Sequence, residues 1–166
     1  MSMTSCSTYK AAEVQALEAL QGWCATLDDE CHVYALVDMA GLGDEKAAIK
    51  ALGSLKLGGA ISILGDARPQ AARAMPWLLP TNHRVDGRWL ARSAAWAVAG
   101  PCLTWLASPL LLGDMAARLA SRTDATLPDS YDVLMRYFDP RVLPVLHQVL
   151  SSEQASTYWA FGHSWA

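Results

Sequence analysis

Positive charge is not in excess in this sequence: thirteen lysines and arginines stand against sixteen aspartates and glutamates, a formal net charge of −3. The two signs are interspersed. No basic stripe exists to neutralise phosphates or to lie on an anionic bilayer, which argues against nucleic acid as a partner. Paired cysteines are missing too. Cys6, Cys24, Cys31 and Cys102 show neither Cys-x-x-Cys spacing nor the density of a secreted disulfide scaffold, so reduced thiols of a cytoplasmic protein are expected. The polar start Met1–Lys10 lacks the charged-then-apolar order of a secretory signal. A phosphate loop is absent, because Gly58-Gly59 has neither the spacing nor the lysine, and it reads as the break between a helix and a strand. His32, His83, His147 and His163 are not paired at metal spacing. Neither a metal nor a cofactor is expected.

What the sequence does have is apolar surface. Hydrophobic residues make up 52% and charged residues 17% of the chain, which excludes disorder and leaves more apolar area than one core needs. A chain of 166 residues fits one domain, 1–166, and buries about 70% of its unfolded surface without staples. The uncharged stretch Ser93–Gly113 reaches the ~20 residues that span a bilayer. Gly100-Pro101 and Ser108-Pro109 cut it, however, into short pieces rich in Trp, Val, Leu and Thr that suit buried strands.

Periodicity gives the elements. Val14, Leu17, Leu20, Cys24 and Leu27 recur at helical steps within a helix over 8–27. Cys31–Met39, almost continuously apolar, reads as a central strand. Gly41 and Gly43 mark a turn, Asp44 caps a helix through Leu55, and Ala60–Leu64 is a second strand, followed by a loop opened by Gly65-Asp66 and Arg68-Pro69. Trp77–Leu79 predicts a strand ending at Pro80, and Asp86-Gly87 an exposed turn. Ala94–Ala99 and Cys102–Ala107 predict two strand pieces. Ser108-Pro109 starts a helix bearing Leu112, Met115 and Leu119 and ending near Arg122. Tyr131–Phe138 reads as the strongest strand, with Val133, Met135 and Tyr137 on one face. Asp139 then caps a helix whose first turn Pro144 disturbs, and Ser151–Gln154 is a capping box for a last helix with Tyr158, Trp159 and Phe161. The sum is an α/β domain with a central mixed sheet of about five strands and helices packed on it.

No catalytic constellation outweighs its structural reading. Cys31 and Cys102 lie within apolar strands, where thiols are usually inert. Asp38, Asp66 and Asp139 sit at strand ends, where α/β folds bind ligands, yet Asp139 already has a capping role. A catalytic site is therefore not expected, and the chain is not read as an enzyme. Tryptophan is abundant: Trp77, Trp89, Trp96, Trp105, Trp159 and Trp165 exceed what a small core usually takes. Most belong to the core, and Trp89, Trp159 and Trp165 are the candidates to face a partner.

One segment discriminates. Arg136-Tyr137-Phe138-Asp139-Pro140-Arg141-Val142-Leu143 follows a predicted strand and opens a helix. With Tyr34-Ala35-Leu36-Val37-Asp38 and Trp105-Leu106-Ala107-Ser108-Pro109, it resembles the family called domain of unknown function 4123. The resemblance runs from about Cys31 to Trp165. It implies an adaptor or chaperone of bacterial type VI secretion, which binds a toxic effector in the cytoplasm and loads it onto the spike protein. Two departures stand out: Ala116, Ala117 and Ala120 replace residues that are often basic in members, and Pro144 interrupts the helix. Many members also continue into a second, helical lobe. Independently of the family, a cation at Arg141 in a first helical turn opposes the helix dipole and needs a carboxylate. That carboxylate is either internal, Asp38 or Asp132, or belongs to a client. The candidate contact residues are thus Tyr34, Asp38, Arg136, Tyr137, Asp139, Pro140 and Arg141. The rival readings are a small enzyme with a strand-end Asp or Cys, a membrane protein spanning Ser93–Gly113, and an immunity protein that neutralises a toxin.

Overall fold

From Val33 to Asp38 every residue is buried, so the first strand, β1 (His32–Asp38), must be covered on both faces and both edges. The structure is a computed structural model and describes residues 3–42, 45–65, 71–127, 129–160 and 164–165. β2 (Ile61–Ser62), β3 (Pro76–Pro80), β4 (Leu103–Ser108), a hairpin of β5 (Asp124–Thr126) and β6 (Asp132–Leu134), and β7 (Ser164–Trp165) follow in chain order. The helices are α1 (Met3–Cys24), α2 (Glu45–Leu57), α3 (Arg88–Ala99), α4 (Leu112–Ala120), α5 (Leu143–Val149) and α6 (Ser152–Trp159). The main sheet has the order β2-β3-β1-β4-β7, with β5 and β6 apart from it.

The α/β class and the central place of β1 agree with the sequence reading, and the five strands match its count. Every pairing is antiparallel, where a mixed sheet was expected. The sheet divides the core by strand parity. Tyr34, Leu36, Leu78 and Leu106 face α4, α5 and the buried pair Tyr137 and Phe138. Ala35, Val37, Trp77, Leu79 and Leu103 face α2 and α3, and Val33 and Ala107 meet α1 through Leu20 and Cys24. A one-residue slip of β1 would exchange these sets, so its register is fixed by packing on both faces. Two glycines permit the close approach on the α2 side. A Cβ on Gly41 would meet the Pro101 carbonyl oxygen at 2.6 Å, and one on Gly58 would meet Leu79 Cδ1 at 2.5 Å.

Several expectations are corrected. Ala94–Ala99 is the second half of helix α3, not a strand. Alanine is the best helix former, and Leu90, Ser93 and Ala94 bury one helical face that starts upstream of the uncharged stretch. Ser108-Pro109 does not begin α4. Ser108 ends β4, its hydroxyl accepts the Leu110 N–H at 3.2 Å, and the helix starts at Leu112. Tyr131–Phe138 is not one strand. β6 stops at Leu134 because its partner β5 is three residues long, and adjacent Tyr137 and Phe138 are both buried in a turn, which no alternating strand allows. Asp139 is likewise not an N-cap: α5 starts at Leu143 after Val142, without a side-chain cap. The irregular start before Pro144 and the Ser151–Gln154 capping box are as expected. Among the described residues no helix is long and apolar enough to cross a membrane. Gly43, Asp44, Asp66, Arg68-Pro69, Phe161 and His163 lie outside the described residues.

Candidate functional site

The last residue of β1 is a carboxylate with no exposure to water, an arrangement that requires compensation. Asp38 Oδ1 accepts the Ala40 N–H at 3.1 Å, and Oδ2 accepts Arg136 Nη2 at 3.0 Å. The same Nη2 lies 3.7 Å from Asp139 Oδ2. Asp139, itself buried, holds Arg141 side-on: Nε donates to Oδ1 at 2.9 Å and Nη2 to Oδ2 at 2.8 Å. The Arg141 backbone N–H also donates to Oδ1, at 2.9 Å, and Val142 N–H to the Asp139 carbonyl, so the turn around Pro140 is pinned from inside. The result is a row of alternating charge, Asp38, Arg136, Asp139, Arg141, with buried acids and half-exposed bases: the arginine side chains are 43% and 61% accessible.

The acids differ in electrostatics. Burial pushes the Asp38 carboxyl up, opposed by the Ala40 N–H and the Arg136 charge. The Arg141 hydrogen bonds hold Asp139 below the usual carboxylate range against its own burial. Beneath the row, Tyr137 is fully buried, donates to the Leu119 carbonyl at 2.7 Å and meets Tyr158 edge-on. Tyr34 donates to the Leu110 carbonyl at 2.7 Å, and its phenol is pushed up to about 12, chiefly by burial.

Of the sequence-derived candidates, the structure brings together Asp38, Arg136, Asp139 and Arg141 around the Pro140 turn, with Tyr137 underneath. Tyr34 lies on the same sheet face but bonds elsewhere. The internal carboxylate of Arg141 is Asp139, which corrects the expectation of Asp38 or Asp132; Asp132 instead accepts the Thr126 hydroxyl at 2.8 Å. Arg141 also precedes α5, so it does not sit in the first helical turn. Trp89 is half-buried against the α2–α3 core, with the Arg88 guanidinium 5.7 Å from its ring. Trp159 is half-buried and stacks on His147 at 4.9 Å. Trp165 pairs through its backbone with Leu106, and its side chain lies outside the described residues. Arg122 went unnoticed in the sequence. Its guanidinium donates to the carbonyls of Tyr158 and Thr157 and ties α6 to the end of α4. The signal was a cation just beyond a helix C-terminus, where it suits the carbonyls.

Cys102 is buried beside Asp38. Burial first, and that carboxylate second, push its thiol up to about 11, so it is protonated at neutral pH. Among the described residues no three His, Cys, Asp or Glu side chains are grouped to hold a metal. The arrangement suits recognition: two guanidiniums fixed in orientation, each with N–H groups left over to meet a carboxylate or carbonyl. No curated protein and no solved structure matches the chain. A family model described as Domain of unknown function (DUF4123) matches residues 33–157, more than half of the sequence, and the chain belongs to that family.

Proposed function

We propose that this protein is an adaptor or chaperone of type VI secretion, which holds a toxic effector in the cytoplasm and passes it to the spike protein. It acts by holding, not by catalysing. The observation that carries the reading is the immobilised pair Arg136 and Arg141, half-exposed above buried Asp38 and Asp139. Membership of the family supports it, together with the implication drawn from the Arg136–Leu143 segment. Arginines held this way lose little freedom on binding, and arginine is typical of protein-binding hot spots.

The test is co-expression with candidate effector toxins from the same genome and recovery of the complex by affinity purification. Arg141→Ala is expected to cut recovery of the toxin at least several-fold without lowering the melting temperature as far as loss of a core side chain does. Full recovery with Arg141→Ala would remove the arginine pair from the interface. A complex that abolishes toxicity but never reaches the spike protein would favour the immunity reading.

A further inference from the structure

Among the described residues of 124–160, burial is confined to Tyr137, Phe138, Asp139 and Leu146. β5, β6 and α6 contribute no buried residue, and a two-stranded hairpin alone is marginal in water. Leu127, Tyr131, Leu134, Val145 and Val149 are exposed there, at 44% to 68%. Between the hairpin and α6 lies a groove of about 680 Å³, with Met135, Leu150 and Tyr158 as apolar floor and Asp124 and Glu153 at its rim. Neither rim carboxylate meets a cation among the described residues. Arg122 also lines the groove, its N–H groups going to the carbonyls of Arg118, Thr157 and Tyr158 and to the Ser121 hydroxyl, so the lining carries two acids against one base.

The charge of the segment is one-sided. Between Arg122 and Ala160 the acids Asp124, Asp129, Asp132, Asp139 and Glu153 outnumber the strong bases Arg122, Arg136 and Arg141, the last two of which pair with Asp38 and Asp139. An apolar floor with two carboxylates that have no ion-pair partner among the described residues complements an amphipathic segment whose polar side is basic. We infer that this groove docks a basic amphipathic segment of the client polypeptide, with apolar side chains on Met135, Leu150 and Tyr158 and lysine or arginine against Asp124 and Glu153. The inference rests on the adaptor reading and adds the face and the chemistry of the client. A second copy in a twofold pair would set this acidic face against itself.

The full chain is titrated by calorimetry with two synthetic amphipathic helical peptides, one of leucine and lysine, the other of leucine and glutamate. The lysine peptide binds and the glutamate peptide does not. The double variant Asp124→Asn/Glu153→Gln, with its melting temperature checked, weakens the lysine peptide about tenfold, and Glu13→Gln/Glu18→Gln on α1 leaves it unchanged. Equal binding of both peptides would overturn the inference, as would equal weakening by the α1 variant, which means attraction by net charge alone. So would a concentration-dependent dimer that Asp124→Asn/Glu153→Gln dissolves, which assigns the groove to a second copy. Capture of the co-expressed toxin separates the two readings. Capture that ignores the groove variant while depending on Arg141 sinks the groove and spares the adaptor. A lysine peptide bound in the groove by a chain that retains no toxin sinks the adaptor and spares the groove.

Discussion

The two sides of the sheet are built to different standards. On the α2 and α3 side, Leu55, Leu79 and Cys102 are fully buried, Trp77 donates to the Ala72 carbonyl, and glycines at 41 and 58 let backbone and ring approach closely. On the other side the layer beneath α4 is equally dry, but its outer shell of hairpin, α5 and α6 is thin. α6 hangs on Arg122, on Tyr158 and on a capping box. One side is interior in the full sense; the other is an interior with an unfinished lid, where opening by local unfolding costs least.

Mutations at graded depth break or sharpen this contrast. Leu79→Ala, in the sealed layer, is expected to cost about 2–5 kcal/mol and to lower the single thermal transition of the whole chain. Arg136→Ala leaves the Asp38 carboxylate buried without its cation. The loss is about 2 kcal/mol, below the ~3–5 of a fully buried pair because Arg136 meets solvent. Adding Asp38→Asn to Arg136→Ala should recover part of it, and denaturant melts of both variants decide. No recovery would mean that the pair matters through shape and not charge.

Asp139→Asn is expected to cost about 1–2 kcal/mol at neutral pH. Since the folded-state pKa of Asp139 lies below its unfolded value, its contribution is fully present above the ordinary carboxylate range. It fades as pH falls through the lowered value, so the gap between wild type and Asp139→Asn should close in acid. A gap that stays constant with pH would contradict the charge account.

Ser151→Ala removes the cap of α6 and should cost about 1 kcal/mol locally. Hydrogen exchange would then quicken in 152–159 while β1 keeps its protection; a quickening spread over the sheet would mean that α6 is no separate unit. The smallest effect belongs to Val149→Ser, within about 0.5 kcal/mol, since its side chain already lies in water. A large loss there would show that the lid is tighter than its exposure indicates.

Legibility in the sequence followed the same divide. β1 and the α2 face were readable because a fully buried strand is apolar at every position and a one-faced helix keeps its period. The errors fell where local signals compete. In 94–99, strand-prone Trp and Val masked alanines belonging to a helix already begun at Arg88. In 131–138, alternation at Val133, Met135 and Tyr137 was real but ended in a turn, because burial of Phe138 follows tertiary packing and not period. Asp139 was read as a helix cap; its carboxylate accepts one backbone N–H, that of Arg141, in a turn ahead of the helix, and faces two arginines. The Asp38–Arg136 pair could not be read at all. Nothing local links a strand end to a turn 98 residues away.

That separation bears on how the polypeptide is made. The negative charge closing β1 has no counter-ion until the chain has been synthesised through position 136, so a nascent protein released early carries an unneutralised acid where its sheet should be driest. The pocket around Asp38 becomes electrically balanced only once the turn that carries Arg136 has folded against the end of β1.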